Sequence, residues 1–372
     1  YFSTLNDTDI SVVLPRFEAF DKDGHALGIT RDPGKKSSLT DAGFINCYKN
    51  SWRGHQMSGI VLKRDGLLDS YVNAGVSNIY PFKNVSTNAN LTSLSIPFIL
   101  TRATPNNPEI KFIEPAVINA FKEAGFKSYW ISNQSVGVGS VFGFYASLVD
   151  EYKNTSVSLD AANYDETLFP VLNDILQDKS TNKKFIIIHT LGSHFRYNYR
   201  YPESFNKFKP SLSRGLSLEN TSDISKKKEL INSYDNSILY TDFVLSNFIN
   251  QLKKQNAVSY LYYISDHGEN LYDDERNKLM HGYIKATNYE IEIPLIIWTS
   301  NKYKNFFSNK VIALKNNLDG KISSTNTFHT LIDLANISYP TEKLNKSFAN
   351  KKFDTLQKRY FYRSNKTVFK LD

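Results

Sequence analysis

Residues 260–269 read YLYYISDHGE, an apolar run that passes directly into Ser265-Asp266-His267-Gly268-Glu269. Two further runs have the same character: FIIIH at 185–189 and IPLIIW at 293–298. Continuous runs rich in β-branched and aromatic residues are typical of central strands that are covered on both faces. We therefore predict three buried strands in one sheet.

Helical patterns alternate with these runs, at 115–124, 165–176, 229–254 and 327–335. Strands that alternate with helices predict an α/β sheet with crossover connections. Ligands in such sheets sit at the carboxyl ends of the strands. The polar residues that end or follow the three runs are therefore candidates for a site. They are HTLGSH at 189–194, SDHGE at 265–269, and Thr299-Ser300.

Asp266 and His267 stand where the chain leaves the second run. Both side chains can face one ion there, because the alternation of a strand ends at that point. A carboxylate oxygen and an imidazole nitrogen are both good zinc ligands, and Gly268 permits a tight turn. An Asp-His pair is equally compatible with structural hydrogen bonding, but its place directly after a buried strand favours a metal site.

Thr92 lies in the small, hydroxyl-rich stretch STNANLTSLSIP at 86–97. Such a segment followed by Ile-Pro predicts a loop that enters a helix. A threonine at a helix N-terminus lies among free N–H donors at the positive end of the dipole, which favours bound phosphate and stabilises an alkoxide. The alternative interpretation of Thr92 is an ordinary N-cap.

His194 and His281 complete the polar set, each in a predicted loop. Histidines near a metal can bind a substrate phosphate or protonate a leaving group. Taken singly, each is equally well explained as an ordinary surface or core histidine.

The bulk composition sets outer limits on the function. The 372 residues suit one large domain or two modest ones, and the formal net charge of +8 favours anionic partners, although a solvated basic surface explains it equally well. We see no nucleic-acid motif, and the single cysteine, Cys47, excludes an internal disulfide. The chain begins at Tyr1 rather than Met, so we expect it to be a piece from which an upstream targeting or membrane segment is missing.

Five stretches together resemble the phosphoethanolamine transferases of Gram-negative bacteria, including the lipid A-modifying and colistin-resistance enzymes. These belong to the sulfatase-like branch of the alkaline phosphatase superfamily. The stretches are SWRGHQMS at 51–58, TSLSIP at 92–97, HTLGSH at 189–194, YDNSILYTD at 234–242, and SDHGE at 265–269 with His281 downstream.

This resemblance implies an alkaline-phosphatase-like three-layer α/β/α sandwich with a mostly parallel central sheet. The catalytic domain would span 46–340, with 1–45 unaligned and 341–372 as a C-terminal extension of the same domain. Thr92 would be the nucleophile and a zinc ligand. Asp266 and His267 would also bind zinc. His194 and His281 would bind the transferred phosphate or assist the leaving group.

The same resemblance implies a reaction and a place in the cell. Phosphoethanolamine would pass from phosphatidylethanolamine through a phospho-threonine to lipid A, a glycan or another envelope acceptor. The expected location is the periplasmic face of the bacterial inner membrane, with N-terminal membrane helices missing from this chain. We expect a monomer that lies against the membrane surface and binds no nucleic acid.

Asn50 is a departure from the family pattern, because it stands where relatives carry a glutamate metal ligand. An amide oxygen is a weaker zinc ligand than a carboxylate and brings no charge. Two alternatives therefore accompany the main hypothesis. One is a catalytically impaired homologue that binds lipid or glycan. The other is a phosphoglycerol transferase, or less readily a sulfatase-like hydrolase, that uses similar residues.

Overall fold

The fold was analysed in a computed structural model, which describes residues 3–4, 10–15, 78–135, 140–157 and 161–372. Its strands are β1 Ser3–Thr4, β2 Ile10–Pro15, β3 Ile79–Phe82, β4 Val85–Ser86, β5 Lys127–Ser132, β6 Glu151–Asn154, β7 Lys184–His189, β8 Ser259–Ile264, β9 Asn270–Leu271, β10 Leu279–Met280, β11 Leu295–Thr299, β12 Ile322–Ser323, β13 Ile337–Ser338, β14 Tyr360–Tyr362 and β15 Val368–Lys370.

The α-helices of the described residues are numbered separately. They are α1 Thr92–Leu100, α2 Ile110–Ile113, α3 Val117–Glu123, α4 Val141–Ala146, α5 Leu168–Gln177, α6 Leu218–Thr221, α7 Lys227–Lys254, α8 Asn288–Ile291, α9 Asn301–Phe306, α10 Ser308–Asn316 and α11 Thr327–Leu334. Short 3₁₀ turns lie at Asp165–Thr167, Tyr197–Tyr199, Glu203–Phe205, Ile224–Lys226, Ser324–Asn326 and Leu344–Lys346. Within the same residues, no helix is long and apolar enough to cross a bilayer.

The main sheet has seven strands in the order β3-β11-β8-β2-β7-β5-β6. The pairs β8-β2, β2-β7, β7-β5 and β5-β6 are parallel, whereas β11 runs antiparallel to both of its neighbours. The mostly parallel sheet confirms the predicted α/β class. The predicted strands at 185–189, 260–264 and 293–298 correspond to β7, β8 and β11, and every residue of these three strands is buried.

Successive residues of the central strands enter two different apolar cores. Tyr262 and Ile264 of β8 pack with α3 and α11 on one face, whereas Leu261 and Tyr263 pack with α5 and α7 on the other. This alternation follows from the pleat, because neighbouring side chains on a strand point to opposite faces. A helical layer on each face makes the predicted three-layer sandwich, and the four predicted helices correspond to α3, α5, α7 and α11.

The prediction that Thr299 and Ser300 lie near Asp266, at the carboxyl ends of the parallel strands, is wrong. Leu295 of β11 lies opposite Ile264 of β8, so the two strands run in opposite directions. Thr299 and Ser300 therefore lie at the edge opposite to Asp266. There the Ser300 hydroxyl accepts hydrogen bonds from Ser259 N at 3.1 Å and Tyr303 N at 3.0 Å, which start β8 and cap α9.

Both ends of the chain join this fold. Ile10–Pro15, within the unaligned N-terminal segment, is a central strand that pairs with β7 and β8 and reaches Ile264 at Pro15. Near the other end, β14 and β15 form a hairpin, which supplies secondary structure to the predicted C-terminal extension. Asn50 and residues 51–58 lie outside the described residues.

Candidate active site

Helix α1 begins at Thr92, as predicted, and points its first turn at the loop that follows β8. Leu91 is the N-cap, with extended backbone at φ −130° and ψ 132°, so the alternative N-cap role of Thr92 is wrong. The Thr92 hydroxyl lies instead 3.1 Å from Nε2 of His267. The first N–H groups of a helix have no partner within it, so Thr92 Oγ1 lies where developing negative charge is favoured.

Asp266 and His267 form the wall opposite Thr92, and both are fully buried. Oδ2 of Asp266 lies 3.4 Å from Nε2 of His267. Nδ1 of His267 lies 3.0 Å from the Gly268 carbonyl oxygen, which can only accept, so Nδ1 carries the proton. Nε2 of His267 therefore faces Thr92 and Asp266. The predicted trio meets around this nitrogen.

The Asp266 backbone is also fixed. Its carbonyl oxygen accepts hydrogen bonds from the hydroxyls of Thr87 at 2.6 Å and Ser95 at 2.5 Å. Ser95 lies one turn after Thr92 on α1. The hydroxyl-rich stretch thus joins helix α1 to the Asp266 loop, and it does so with side chains rather than caps.

Glu269 and His281 extend the site on the other side of His267. Nδ1 of His281 lies 2.8 Å from Oε2 of Glu269, and the rings of His267 and His281 approach to 3.8 Å between centroids. One ligand atom each of His267, Glu269 and His281 falls within 4.8 Å of the others. Glu269 had no predicted role, although its place two residues after His267 was a usable signal.

Gly268 and Glu290 position the two halves of this site. A Cβ at Gly268 would lie 2.0 Å from the Tyr289 carbonyl oxygen, so the turn between His267 and Glu269 requires glycine. The buried Glu290 carboxylate accepts from Asn90 Nδ2 at 2.5 Å and from Gly282 N at 2.8 Å. It thereby ties the loop before Thr92 to the loop that carries His281.

The loop after β7, which carries His194, is held by a buried carboxylate. Asp165 accepts from Leu191 N at 2.7 Å and Gly192 N at 2.8 Å. Burial raises the pKa of Asp165, while these hydrogen bonds and Arg200 act in the opposite direction. No sequence pattern marked Asp165, because its partners lie 26 and 27 residues away.

His194 itself is partly buried, and its Nδ1 contacts the Phe195 carbonyl oxygen. The same loop reaches the site through Tyr197, whose hydroxyl donates to Oε1 of Glu269 at 3.0 Å. The structure therefore brings Thr92, Asp266, His267 and His281 together directly and attaches the His194 loop through Tyr197. His189 at the end of β7 is instead a core residue, stacked on Phe142.

A zinc ion fits the donor set formed by Thr92, Asp266, His267, Glu269 and His281. This set combines imidazole nitrogens, carboxylate oxygens and one hydroxyl, and the borderline character of zinc suits nitrogen and oxygen donors. Burial of Asp266, His267 and Glu269 also favours a bound cation, because buried charges in proteins are normally paired or coordinate metals.

Residues 69–337 match the sulfatase family. The chain belongs to that family. It is 32% identical over 284 residues to the phosphoethanolamine transferase EptC of Escherichia coli strain K12, an alignment that covers 74% of this chain and 47% of the relative.

Two further proteins illustrate the range of this family. The chain is 29% identical over 235 residues to the Kdo(2)-lipid A phosphoethanolamine 7''-transferase of Salmonella typhimurium, covering 61% of this chain and 39% of that protein. The crystal structure of the C-terminal periplasmic domain of EptC from Escherichia coli, in complex with zinc, has a TM-score of 0.75 at 27% identity and covers 99% of this chain and 94% of that domain.

These matches confirm the predicted alkaline-phosphatase-like fold and the resemblance to phosphoethanolamine transferases. This sulfatase-family domain spans about half the length of the curated relatives it matches. A solved relative binds zinc, and this chain has a group of side chains that can hold a metal ion.

Proposed function

We propose that the domain transfers phosphoethanolamine from phosphatidylethanolamine to lipid A, a glycan or another envelope acceptor, with Thr92 as the nucleophile. One observation carries the proposal. The Thr92 hydroxyl lies at the first turn of α1, 3.1 Å from Nε2 of His267, beside the buried side chains of Asp266, His267 and Glu269. The transferase relatives support the group that is moved.

Thr92, Asp266 and His267 would hold a zinc ion, with Glu269 as a further donor beside them. Bound zinc would supply Lewis-acid stabilisation of charge and would lower the proton affinity of the Thr92 hydroxyl. The rest of the chemistry belongs to the chain, which must bind the donor, orient it and manage two protons.

In the first half-reaction the Thr92 oxygen bonds to phosphorus as the bond from phosphorus to the diacylglycerol oxygen breaks. The Thr92 hydroxyl gives its proton to the solvent before the attack, and the leaving oxygen gains a proton from a protonated imidazole. His281 is suited to this role because the Glu269 carboxylate orients its ring. In the second half-reaction an acceptor hydroxyl gives its proton to that imidazole as its oxygen bonds to the same phosphorus. The bond from phosphorus to the Thr92 oxygen breaks, and Thr92 is released as the alkoxide.

We further propose that the domain works at the periplasmic face of the inner membrane as a monomer. The solved EptC relative is a periplasmic domain, and the curated relatives are about twice as long as the part that this chain matches. The net charge of +8 would attract the domain to an anionic membrane surface.

The test uses this chain with labelled phosphatidylethanolamine in detergent micelles. Thr92→Ala should lower transfer by on the order of 1000-fold and remove a phosphoethanolamine adduct on Thr92 detected by mass spectrometry. Ser93→Ala is the matched control, because Ser93 is exposed beside Thr92 and should leave transfer unchanged.

Metal content separates this proposal from an impaired homologue. The purified chain should contain zinc, and Asp266→Ala should lose it. Transfer by Thr92→Ala at the level of the unsubstituted chain would overturn the nucleophile assignment. A chain that binds lipid without zinc and without transfer would instead be the impaired homologue.

A further inference from the structure

A second polar cavity, of 240 Å³, lies at the far end of helix α1 from Thr92. Arg102, just past that helix, forms one side, and residues of α2, helix α11 and the segment leading into the terminal hairpin form the others. The charged and titratable side chains that line it are Arg102, Glu114, His329, Lys343, Lys346, Lys358 and Tyr360.

The lining of this cavity is strongly cationic. Its described walls carry four cationic side chains against one carboxylate, Glu114, and Nε of Arg102 already lies 2.6 Å from that carboxylate. The three lysines therefore face a cavity with no further acid to balance them among its lining residues. Clefts lined by one sign of charge concentrate ligands of the opposite sign.

The pKa of His329, another lining residue, is lowered by burial and by the neighbouring cations. Burial first, and then the charges of Lys343, Arg102 and Lys346, lower its pKa to about 3. The ring is therefore neutral at physiological pH and is available as a hydrogen-bonding group rather than as a fifth cation. Its Nδ1 lies 3.2 Å from the Tyr339 hydroxyl, which fixes the ring in the wall.

Exposed apolar side chains adjoin the lining residues along the chain. Ile110 and Glu114 line the cavity, and between them Phe112 and Ile113 are 74% and 79% exposed. On another side Leu356, next to the lining residue Gln357, is 80% exposed. Large apolar side chains that stand in solvent beside basic residues are typical of a surface that contacts the membrane interface.

We propose that this cavity binds the phosphate group of an anionic membrane lipid, while Phe112, Ile113 and Leu356 enter the interfacial layer around it. The cavity is smaller than the usual site for a drug-sized ligand, which suits a head-group phosphate and leaves the acyl chains outside. Lysine ammonium groups bind phosphate as point charges.

Such a lipid would hold the Thr92 site at the membrane. Asn88 lines the cavity, and the preceding residue, Thr87, donates its hydroxyl to the Asp266 carbonyl oxygen at 2.6 Å. The two sites are therefore linked through two consecutive residues, Thr87 and Asn88. The lipid site does not depend on the proposed transfer reaction, since none of its residues belongs to the Thr92 site.

Vesicle sedimentation tests the proposal. The chain should bind vesicles of phosphatidylglycerol and phosphatidylcholine more tightly than vesicles of phosphatidylcholine alone, and K343A/K346A should weaken that binding about tenfold or more. The matched control is K302A/K304A, which removes the same charge from exposed positions on α9 and should change binding by less than about threefold. An equal loss in both variants would show general electrostatic attraction and overturn the site.

Two further measurements keep the outcome clear. Phe112→Ser should weaken vesicle binding while leaving the affinity for inorganic phosphate, measured by calorimetry, unchanged. If Phe112→Ser has no effect and phosphate binds as tightly as the vesicles, the ligand is free phosphate and the lipid assignment is wrong. Should K343A/K346A fail to fold, two charge reversals at exposed positions replace it. Lys358→Glu, in the cavity lining, should weaken vesicle binding. Lys351→Glu, outside the lining, is its control and should not.

The failure of the two proposals can be told apart. Thr92→Ala should bind vesicles like the unsubstituted chain even where transfer is lost. Vesicle binding that disappears in Thr92→Ala would mean that the lipid is held at the Thr92 site, and would overturn the second site.

Discussion

Gly268 fixes the turn between His267 and Glu269, two of the proposed metal ligands. A Cβ at Gly268 would lie 2.0 Å from the Tyr289 carbonyl oxygen, and a backbone atom cannot move aside as the end of a flexible side chain can. We predict that Gly268→Ala destabilises the domain by roughly 3 kcal/mol or more and lowers its zinc content. Thermal unfolding and metal analysis would check both effects.

Gly125→Ala is the matched control for Gly268→Ala. Gly125 has a φ of +84° and open space around its Cβ position, so alanine there costs conformational strain alone. That cost is about 1–2 kcal/mol, without an effect on zinc. Equal losses of stability and zinc in the two variants would contradict the steric explanation for Gly268.

Single residues differed in how far the sequence could predict them. Thr92, Asp266 and His267 were predicted because each follows a local signal, a helix start or the end of a buried strand. Glu290 was not, because its role is to bridge Asn90 and Gly282, which are distant along the chain and meet through the fold. Candidate ligand residues can be recognised from the sequence around them, whereas the residues that position them can be recognised only from tertiary contacts.

At the scale of elements, the start of α5 positions the loop after β7. Asp165 lies in the 3₁₀ turn that leads into that helix and accepts from the N–H groups of Leu191 and Gly192. We predict that Asp165→Asn destabilises the domain by about 2 kcal/mol, because an amide NH₂ then competes with one backbone donor. Transfer should fall with zinc content unchanged, since the loop rather than the metal ligands is displaced.

Denaturant unfolding, metal analysis and the transfer assay measure these effects. Asp174→Asn on the exposed face of α5 is the control, and it should stay within about 0.5 kcal/mol of the unsubstituted chain. Loss of zinc in Asp165→Asn would show that Asp165 acts on the ligands rather than on the loop.

The elements show why sequence reasoning succeeded for strands and failed for direction. The runs that became β7, β8 and β11 are buried on both faces, so their composition predicts them well. Composition carries no direction, however, and β11 is antiparallel to β8. Thr299-Ser300 was consequently assigned to the wrong edge. The strand Ile10–Pro15 was not predicted, although it is as long as β7 and β8 and lies at the centre of the sheet.

At the scale of the whole molecule, folding buries a few carboxyl groups and removes part of their contact with water. Glu292, just before β11, is the clearest case, because burial raises its pKa to about 7 while Arg359 opposes the shift. The folded state therefore binds this proton more tightly than the unfolded state does. Stability from this group is present below its unfolded pKa and falls as the pH rises through about 7.

We predict that Glu292→Gln removes this loss, because the amide is neutral at every pH. The free energy of unfolding of the unsubstituted chain relative to Glu292→Gln should fall by roughly 1–3 kcal/mol between pH 5 and pH 8. His329, whose pKa is lowered to about 3, has the opposite effect over the lower part of this range, since the unfolded chain takes up its proton first. That contribution is common to both proteins and cancels in their difference, which chemical denaturation at several pH values would measure. A difference that is flat with pH would mean that the Glu292 carboxyl is ionised in the folded state as readily as in the unfolded chain.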